Sequence, residues 1–224
     1  MTKPSSKDLY AELFAQRGID CYGACCLPEN LRVFSGLAYA LSFMVPLPRV
    51  VLESIKGGPS KLYFHHYRTI NAYIDNISLN IALLLNGEGF DAHYVPASQS
   101  QSQDGLRAIF PHKAAARLAG LGDIGCNALF ISSKYGPGVR LGTVLTNMPL
   151  CRENPKPLKL CTACMQCVNA CPSGALTGAS FSEGMPRDGM IDAQKCSHYM
   201  KRFKDVGRGA VCGICMANCP LCHG

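Results

Sequence analysis

The stretch "CTACMQCVNACPSGAL", from Cys161 to Leu176, constrains this chain more than any other. Its four cysteines stand three, three and four residues apart, and a proline follows the last. Thiols crowded at such spacings fold around something that gathers them. A disulfide framework would suit a secreted chain, yet "MTKPSSKDLYAEL" carries no apolar leader. The longest apolar runs, "GLAYALSFMV" and "IALLL", fall short of the roughly 20 residues of a membrane span. The expected compartment is the cytoplasm, with no membrane partner. Thiols stay reduced there, so the fourteen cysteines, most of them after residue 125, are expected to bind metal. So many oxidisable thiols suit an oxygen-poor, anaerobic setting.

The spacing C-x2-C-x2-C-x3-C-P is that of a bacterial two-cluster ferredoxin, in which the fourth cysteine serves the other cluster. Cys161, Cys164 and Cys167 should therefore hold one [4Fe–4S] cubane, and Cys171 a second. A structural zinc site prefers two separated CxxC knuckles. A second run, "CGICMANCP", places Cys212, Cys215 and Cys219 at the second, third and fourth positions of the same pattern. The first position falls on Gly209, so one ligand must come from elsewhere. Cys196 and Cys222 are the candidates, and Cys196 is preferred because Cys222 lies beyond the redirecting proline. Cluster 1 is then Cys161, Cys164, Cys167 and Cys219, and cluster 2 is Cys171, Cys196, Cys212 and Cys215.

The 224 residues are 48% hydrophobic and 17% charged, enough to bury a core and too little charge for a disordered chain. Helices are expected from Ser6 to Gly18, along the three-four pattern from Tyr67 to Leu85, and over "HKAAARLAG". Strands are expected at "IDCYGACC", "LAYALSFMV" and "FDAHYV". "ALFIS" and "VRLGTVLT" read as a hairpin joined by "SKYGPG", and "ASQSQSQDG" as a flexible loop. The fold class is therefore α/β (α+β), with an α/β domain over 1–154 and a metal-organised module over 155–224.

The formal net charge is +7. Two oxidised clusters with eight thiolates would lower it by about four. The basic run Lys195, His198, Lys201, Arg202, Lys204 and Arg208 reads first as a solvated helix face, then as docking for an acidic redox partner. A nucleic acid is not the expected partner. "GLGDIG" matches a dinucleotide fingerprint in letters, but a helix precedes it and a strand follows, the reverse of what that site needs. Its glycines suit close backbone approach to something flat or bulky, or a tight turn. Cys21, Cys25, Cys26, Cys151 and Cys222 read as buried small hydrophobes, while Cys126, just past the glycine loop, suits a redox-active or cofactor-facing thiol.

The segment "KAAARLAGLGDIGCNALFISSKYGPGVRLGTVLTNMPL", then CxxCxxCxxxCP, then a lone cysteine followed by "SHY", then CxxCxxxCP, resembles the epoxyqueuosine reductases and the catalytic half of reductive dehalogenases. The resemblance covers about Lys113 to Pro220 and implies a shortened, divergent member. It implies a nitroreductase-like domain holding a base-off corrinoid (cobalamin) above a ferredoxin-like module. Gly120, Gly122, Gly125, Cys126 and Asn127 would then lie against that cofactor. It further implies an oxidoreductase fed by a low-potential donor such as ferredoxin or flavodoxin. Pro96 stands where epoxyqueuosine reductases carry an acid, which argues against epoxyqueuosine as the substrate. Replacement proton donors are Tyr63, His65, His66, Tyr67 and His93. The alternative is a non-catalytic electron-transfer protein that reactivates a corrinoid protein and binds no cobalamin itself.

Overall fold

A computed structural model describes residues 6–98, 100, 102–103, 105–207 and 211–222. Arg208 of the basic run, Gly209, and Gln99, Gln101 and Asp104 of the polar loop lie outside the described residues, as do the side chains of Ser6 and Leu9. In chain order the elements are α1 (Ser6–Gln16), β1 (Tyr22–Cys26), β2 (Tyr39–Pro46), α2 (Arg49–Glu53), α3 (Lys61–Gly87), β3 (Ala92–Val95) and α4 (His112–Leu118). There follow β4 (Gly122–Ile124), β5 (Phe130–Ser132), β6 (Val139–Thr146), α5 (Gln166–Asn169), α6 (Ala193–Met200) and α7 (Ile214–Ala217). No helix among the described residues is long and apolar enough to cross a membrane.

The fold is mixed α/β and forms two compact units. The first gathers residues 1–45, 71–121 and 140–157, and its frame is a four-stranded sheet in the order β1-β2-β6-β3. β1 runs antiparallel to β2 from Tyr22↔Phe43 to Cys26↔Tyr39, and β3 antiparallel to β6 from Ala92↔Thr146 to Val95↔Thr143. The three-four spacing of α3 puts Ile74, Ile77, Ile81 and Leu85 on one face, and all four are fully buried. Phe14 of α1 joins this core, with its ring 5.1 Å from Phe43. Each such side chain contributes roughly 1.5–3 kcal/mol by leaving water. Helix α1 stops where Gly18 turns left-handed and the Ile19 N–H reaches back to the Phe14 carbonyl.

The second unit gathers residues 46–70, 122–139 and 158–224. Residues 158–224 thus cluster with two earlier stretches of chain. One of them is a hairpin the sequence reading missed, in which β4 pairs antiparallel with β5 from Gly122↔Ser132 to Ile124↔Phe130. The expected β5–β6 hairpin is corrected accordingly, because β6 is an inner strand of the four-stranded sheet. "SKYGPG" does turn the chain, but it closes on itself through reciprocal Ser132–Gly136 backbone bonds of 2.8 and 3.0 Å. Turn chemistry fixes a local reversal and leaves the pairing of the strand beyond it open.

His112, at the start of α4, fixes part of the first unit. Its Nε2 donates to the Pro96 carbonyl at 3.2 Å, so its Nδ1 must accept from the Thr143 hydroxyl at 2.8 Å. Burial first, and Arg140 after it, push the imidazole down to about 4, against a partial rise from the Pro96 bond. The unfolded chain takes up a proton below its ordinary value of 6.5, and the folded chain does so only near 4. Stability is therefore lost as pH falls through that window, by up to about 3 kcal/mol. Urea midpoints at pH 7 and pH 5 should record the loss, and His112→Gln should flatten the dependence.

Candidate metal centre

The two cysteine runs fold alike. In each, the residue after the cysteine at the pattern's second position (Cys164 or Cys212) is left-handed (Met165 at φ 64°, Gly213 at φ 76°), and a single helical turn follows, α5 or α7. The next cysteine lies inside that turn, and the last lies beyond it, just before Pro172 or Pro220. Met165 holds a conformation that glycine holds in the other run, a strain tolerated only where surroundings enforce it. α5 and α7 pack against each other. Cys196 comes from α6, whose N-cap Asp192 accepts from the Lys195 N–H at 3.0 Å.

The thiols fall into two interacting sets that cross chain order. Burial, then Cys219, Cys126 and Cys161, push Cys167 up to about 11. Cys219 is raised by burial and then by Cys164 and Cys161. In the other set, burial and then Cys212 and Cys171 push Cys196 up to about 11. Burial, then Cys212, Cys196, Cys171 and finally Cys167, push Cys215 up to about 12. Sulfurs that disfavour one another's ionisation in a desolvated place have a plain chemical remedy, a cationic iron core that takes them as thiolates. Cys171 behaves differently. Burial raises it, but the Ser173 hydroxyl and the N–H groups of Ala175, Ser173 and Leu176 outweigh that and hold it below the usual thiol range. Such N–H···S bonds also tune a cluster's potential. Cys222 is raised by burial and then by Cys219, and its sulfur faces Gly138.

Among the described residues no three His, Cys, Asp or Glu side chains converge tightly enough for a single metal ion. The first set instead rings a cavity of about 200 Å³ lined by Cys161, Cys164, Cys167 and Cys219. Cys126 and Asn127, expected at a corrinoid, line this same cavity. The Cys126 N–H donates to Cys161 Sγ at 3.5 Å, and Asn127 Nδ2 donates to the Cys215 carbonyl at 3.4 Å. This part of the metal centre escaped the sequence reading. Its only signal was the position of Cys126 at the end of "GLGDIG".

The glycines expected to approach a flat cofactor approach the protein's own chain. A Cβ on Gly122 would collide with the Ile131 carbonyl across the hairpin, and one on Gly125 would press on Ile131 and Asn127. Left-handed Gly120 meets the Pro155 ring. A helix precedes these three positions and β4 begins inside them, so the dinucleotide reading has no support in the fold.

The expected proton donors are scattered. Tyr63 is buried and packs over Gly213, between two cysteines of the second run. Tyr67 sits edge-on to Tyr63 at 6.0 Å. His65 is exposed, while His66 carries a buried Nε2 without a hydrogen-bond partner. His93 belongs to the first unit, exposed on β3 with its ring 5.2 Å from Phe34.

Residues 160–221 match the 4Fe–4S double cluster binding domain. An epoxyqueuosine reductase of Gloeobacter violaceus is 40% identical over 139 residues, which are 54% of this chain and 40% of that protein. A tetrachloroethene reductive dehalogenase of Sulfurospirillum multivorans is 35% identical over 117 residues, 47% of this chain and 22% of that one. Over about half of its length the chain is similar to epoxyqueuosine reductases and to a reductive dehalogenase. The likeness of fold extends beyond the cysteine runs. The structure of the catabolic reductive dehalogenase NpRdhA matches 96% of this chain at TM-score 0.72 and 20% identity, covering 32% of that chain. The epoxyqueuosine reductase of Streptococcus thermophilus matches 97% at TM-score 0.61 and 20% identity, covering 66% of that chain. The chain spans less than half the length of the curated relatives named here. These relatives are named as reductases, and the part this chain shares with the family model is a 4Fe–4S double cluster binding domain.

Proposed function

We propose that this chain passes low-potential electrons through two [4Fe–4S] clusters to a corrinoid that it binds, for reduction of a small substrate. Cluster 1 would be held by Cys161, Cys164, Cys167 and Cys219, and cluster 2 by Cys171, Cys196, Cys212 and Cys215. The observation that carries the reading is the partition of the thiols into these two sets, each drawing on both cysteine runs. A module over 155–224 on an α/β domain over 1–154 would be the working division. The cysteines do the binding, and the N–H groups at Cys171 and Cys161 hold negative charge on sulfur. Cys126 and Asn127 wall the first cluster's cavity and limit water there. Electrons would enter from a donor such as ferredoxin or flavodoxin, and the protein would work in the cytoplasm.

The corrinoid is proposed from kinship: one structural neighbour is described by a B12-dependent dehalogenation mechanism. When bound, a corrinoid supplies a low-valent metal centre for a difficult reduction. One observation favours a second reading, an electron-transfer protein that serves a corrinoid protein. Pro96 carries no acid and its carbonyl is tied to His112. Anaerobic reconstitution with added cobalamin separates the two. The first reading expects about one cobalamin to co-purify per chain, with a shift to the base-off spectrum. A protein that keeps about eight iron atoms and no cobalamin is the electron-transfer protein.

A further inference from the structure

Outside the metal centre, three thiols meet in the first unit. Cys25 and Cys26 occupy successive positions of β1, so they point to opposite faces. Cys25 is fully buried, and burial first, then Cys151 and Cys26, push it up to about 12. Cys26 and Cys151 are only half-buried. Their sulfurs lie 2.8 Å apart, although 125 residues separate them. For comparison, the Cys126 and Cys161 sulfurs stand 3.6 Å apart, and a disulfide bond measures about 2.0 Å. Cys26 and Cys151 are thus much nearer a bond than a hydrogen-bonded thiol pair needs to be.

The neighbouring chain holds them there. β1 is an edge strand, with β2 on one side only. On its other side, Asn154 accepts from the Cys26 N–H at 2.7 Å and its amide donates to the Cys26 carbonyl at 2.8 Å. Cys26 Sγ also donates to the Cys151 carbonyl at 3.4 Å. One side chain thus imitates a strand partner, pins residues 151–154 to the sheet edge and fixes both backbones that carry the sulfurs. Packing explains the burial of Cys25. It does not explain two half-buried thiols brought to this distance by a two-bond clamp.

We propose that Cys26 and Cys151 form a reversible dithiol–disulfide couple whose reaction partner is a low-molecular-weight disulfide of the glutathione type. One thiolate of the pair attacks the small disulfide, forms a mixed disulfide and releases one small thiol. The second protein thiolate then attacks the mixed disulfide, closes the Cys26–Cys151 bond and releases the other small thiol. Two electrons leave the protein pair and reduce the small disulfide to two thiols, which carry off the two protons. Two small thiols run the sequence backwards. Closing the bond ties the ends of a segment 125 residues long, which narrows the unfolded ensemble and resists urea. Cys25 stays out, because it points into the core and its thiol resists ionisation.

The test uses the whole anaerobically purified iron–sulfur protein. It is equilibrated with glutathione buffers of rising disulfide fraction, alkylated with iodoacetamide while folded, digested and mapped by mass spectrometry, with iron measured on each sample. The expected result is a Cys26–Cys151 cross-linked peptide that grows with glutathione disulfide, vanishes with dithiothreitol and leaves iron constant. The urea midpoint of the oxidised protein should be higher. Cys151→Ala should instead trap glutathione on Cys26, and Cys25→Ala should leave the cross-link intact. Two thiols alkylated at every glutathione ratio would overturn the proposal. So would a cross-link to Cys25 in place of Cys26, or one that appears only after iron is lost. The mapping of the unmutated protein decides the matter even if a variant fails to fold.

Discussion

Cys171→Ser is expected to cut the iron bound after anaerobic reconstitution from about eight to about four atoms per chain. The loss should fall on the cluster built by Cys196, Cys212 and Cys215, and not on the one built by Cys171's own sequence neighbours. The reason is geometric. Cys161, Cys164 and Cys167 face a cavity that Cys219 completes, while the thiols that disfavour ionisation of Cys196 are Cys212 and Cys171. Total iron alone cannot name the lost cluster, but a double-mutant cycle can. Adding Cys196→Ser to Cys171→Ser should remove almost nothing more, since both ligands serve one cubane. Adding Cys161→Ser should take iron close to zero. The reverse pattern, with Cys161 redundant and Cys196 additive, would mean that each run closes its own site. Cys222→Ser is the matching control: its sulfur faces Gly138, so iron should stay at the unmutated level.

The proposed ligand crossing can be read from the sequence because an absence can be counted. Gly209 occupies the first position of the second run, and the deficit points to a distant cysteine. Long elements were legible for a similar reason. The period of α3 repeats over 27 residues, and Gly18 and Gly89 mark helix ends with the positive φ they adopt. Short and non-local features were not. β4 has three residues, one of them Gly122, too few to display alternation. "SKYGPG" announces a turn but not that the strands around it join different sheets. His112 read as one residue of a helix start, because its partners Pro96 and Thr143 lie 16 and 31 residues away. Cys26 and Cys151 read as small hydrophobes for the same reason. A contact between half-buried side chains far apart in sequence leaves no period, spacing or composition to read.

Gly136→Ala tests how the second unit holds cluster 1. Gly136 closes the "SKYGPG" turn with φ at +60°. An alanine there carries the left-handed penalty of about 1 kcal/mol. The larger cost is steric, because a Cβ would run into the Leu221 carbonyl. That carbonyl is backbone and cannot swing aside as a flexible side chain would. Leu221 stands two residues after Cys219, and its N–H bonds the Cys219 sulfur. Pushing Leu221 away therefore drags on a cluster ligand. A backbone clash in a packed interior belongs with core overpacking, so the total cost should reach about 3 kcal/mol or more. The expected outcome is a lower urea midpoint and loss of about four iron atoms, with Cys171, Cys196, Cys212 and Cys215 keeping theirs. Gly184→Ala supplies the comparison, since Gly184 has φ +79° but nothing within 4 Å of its would-be Cβ. It should cost only the left-handed penalty and keep all its iron. Equal losses from the two variants would mean that conformational strain, and not the Leu221 contact, governs the site. Iron lost from Gly136→Ala alone ties the turn to Cys219.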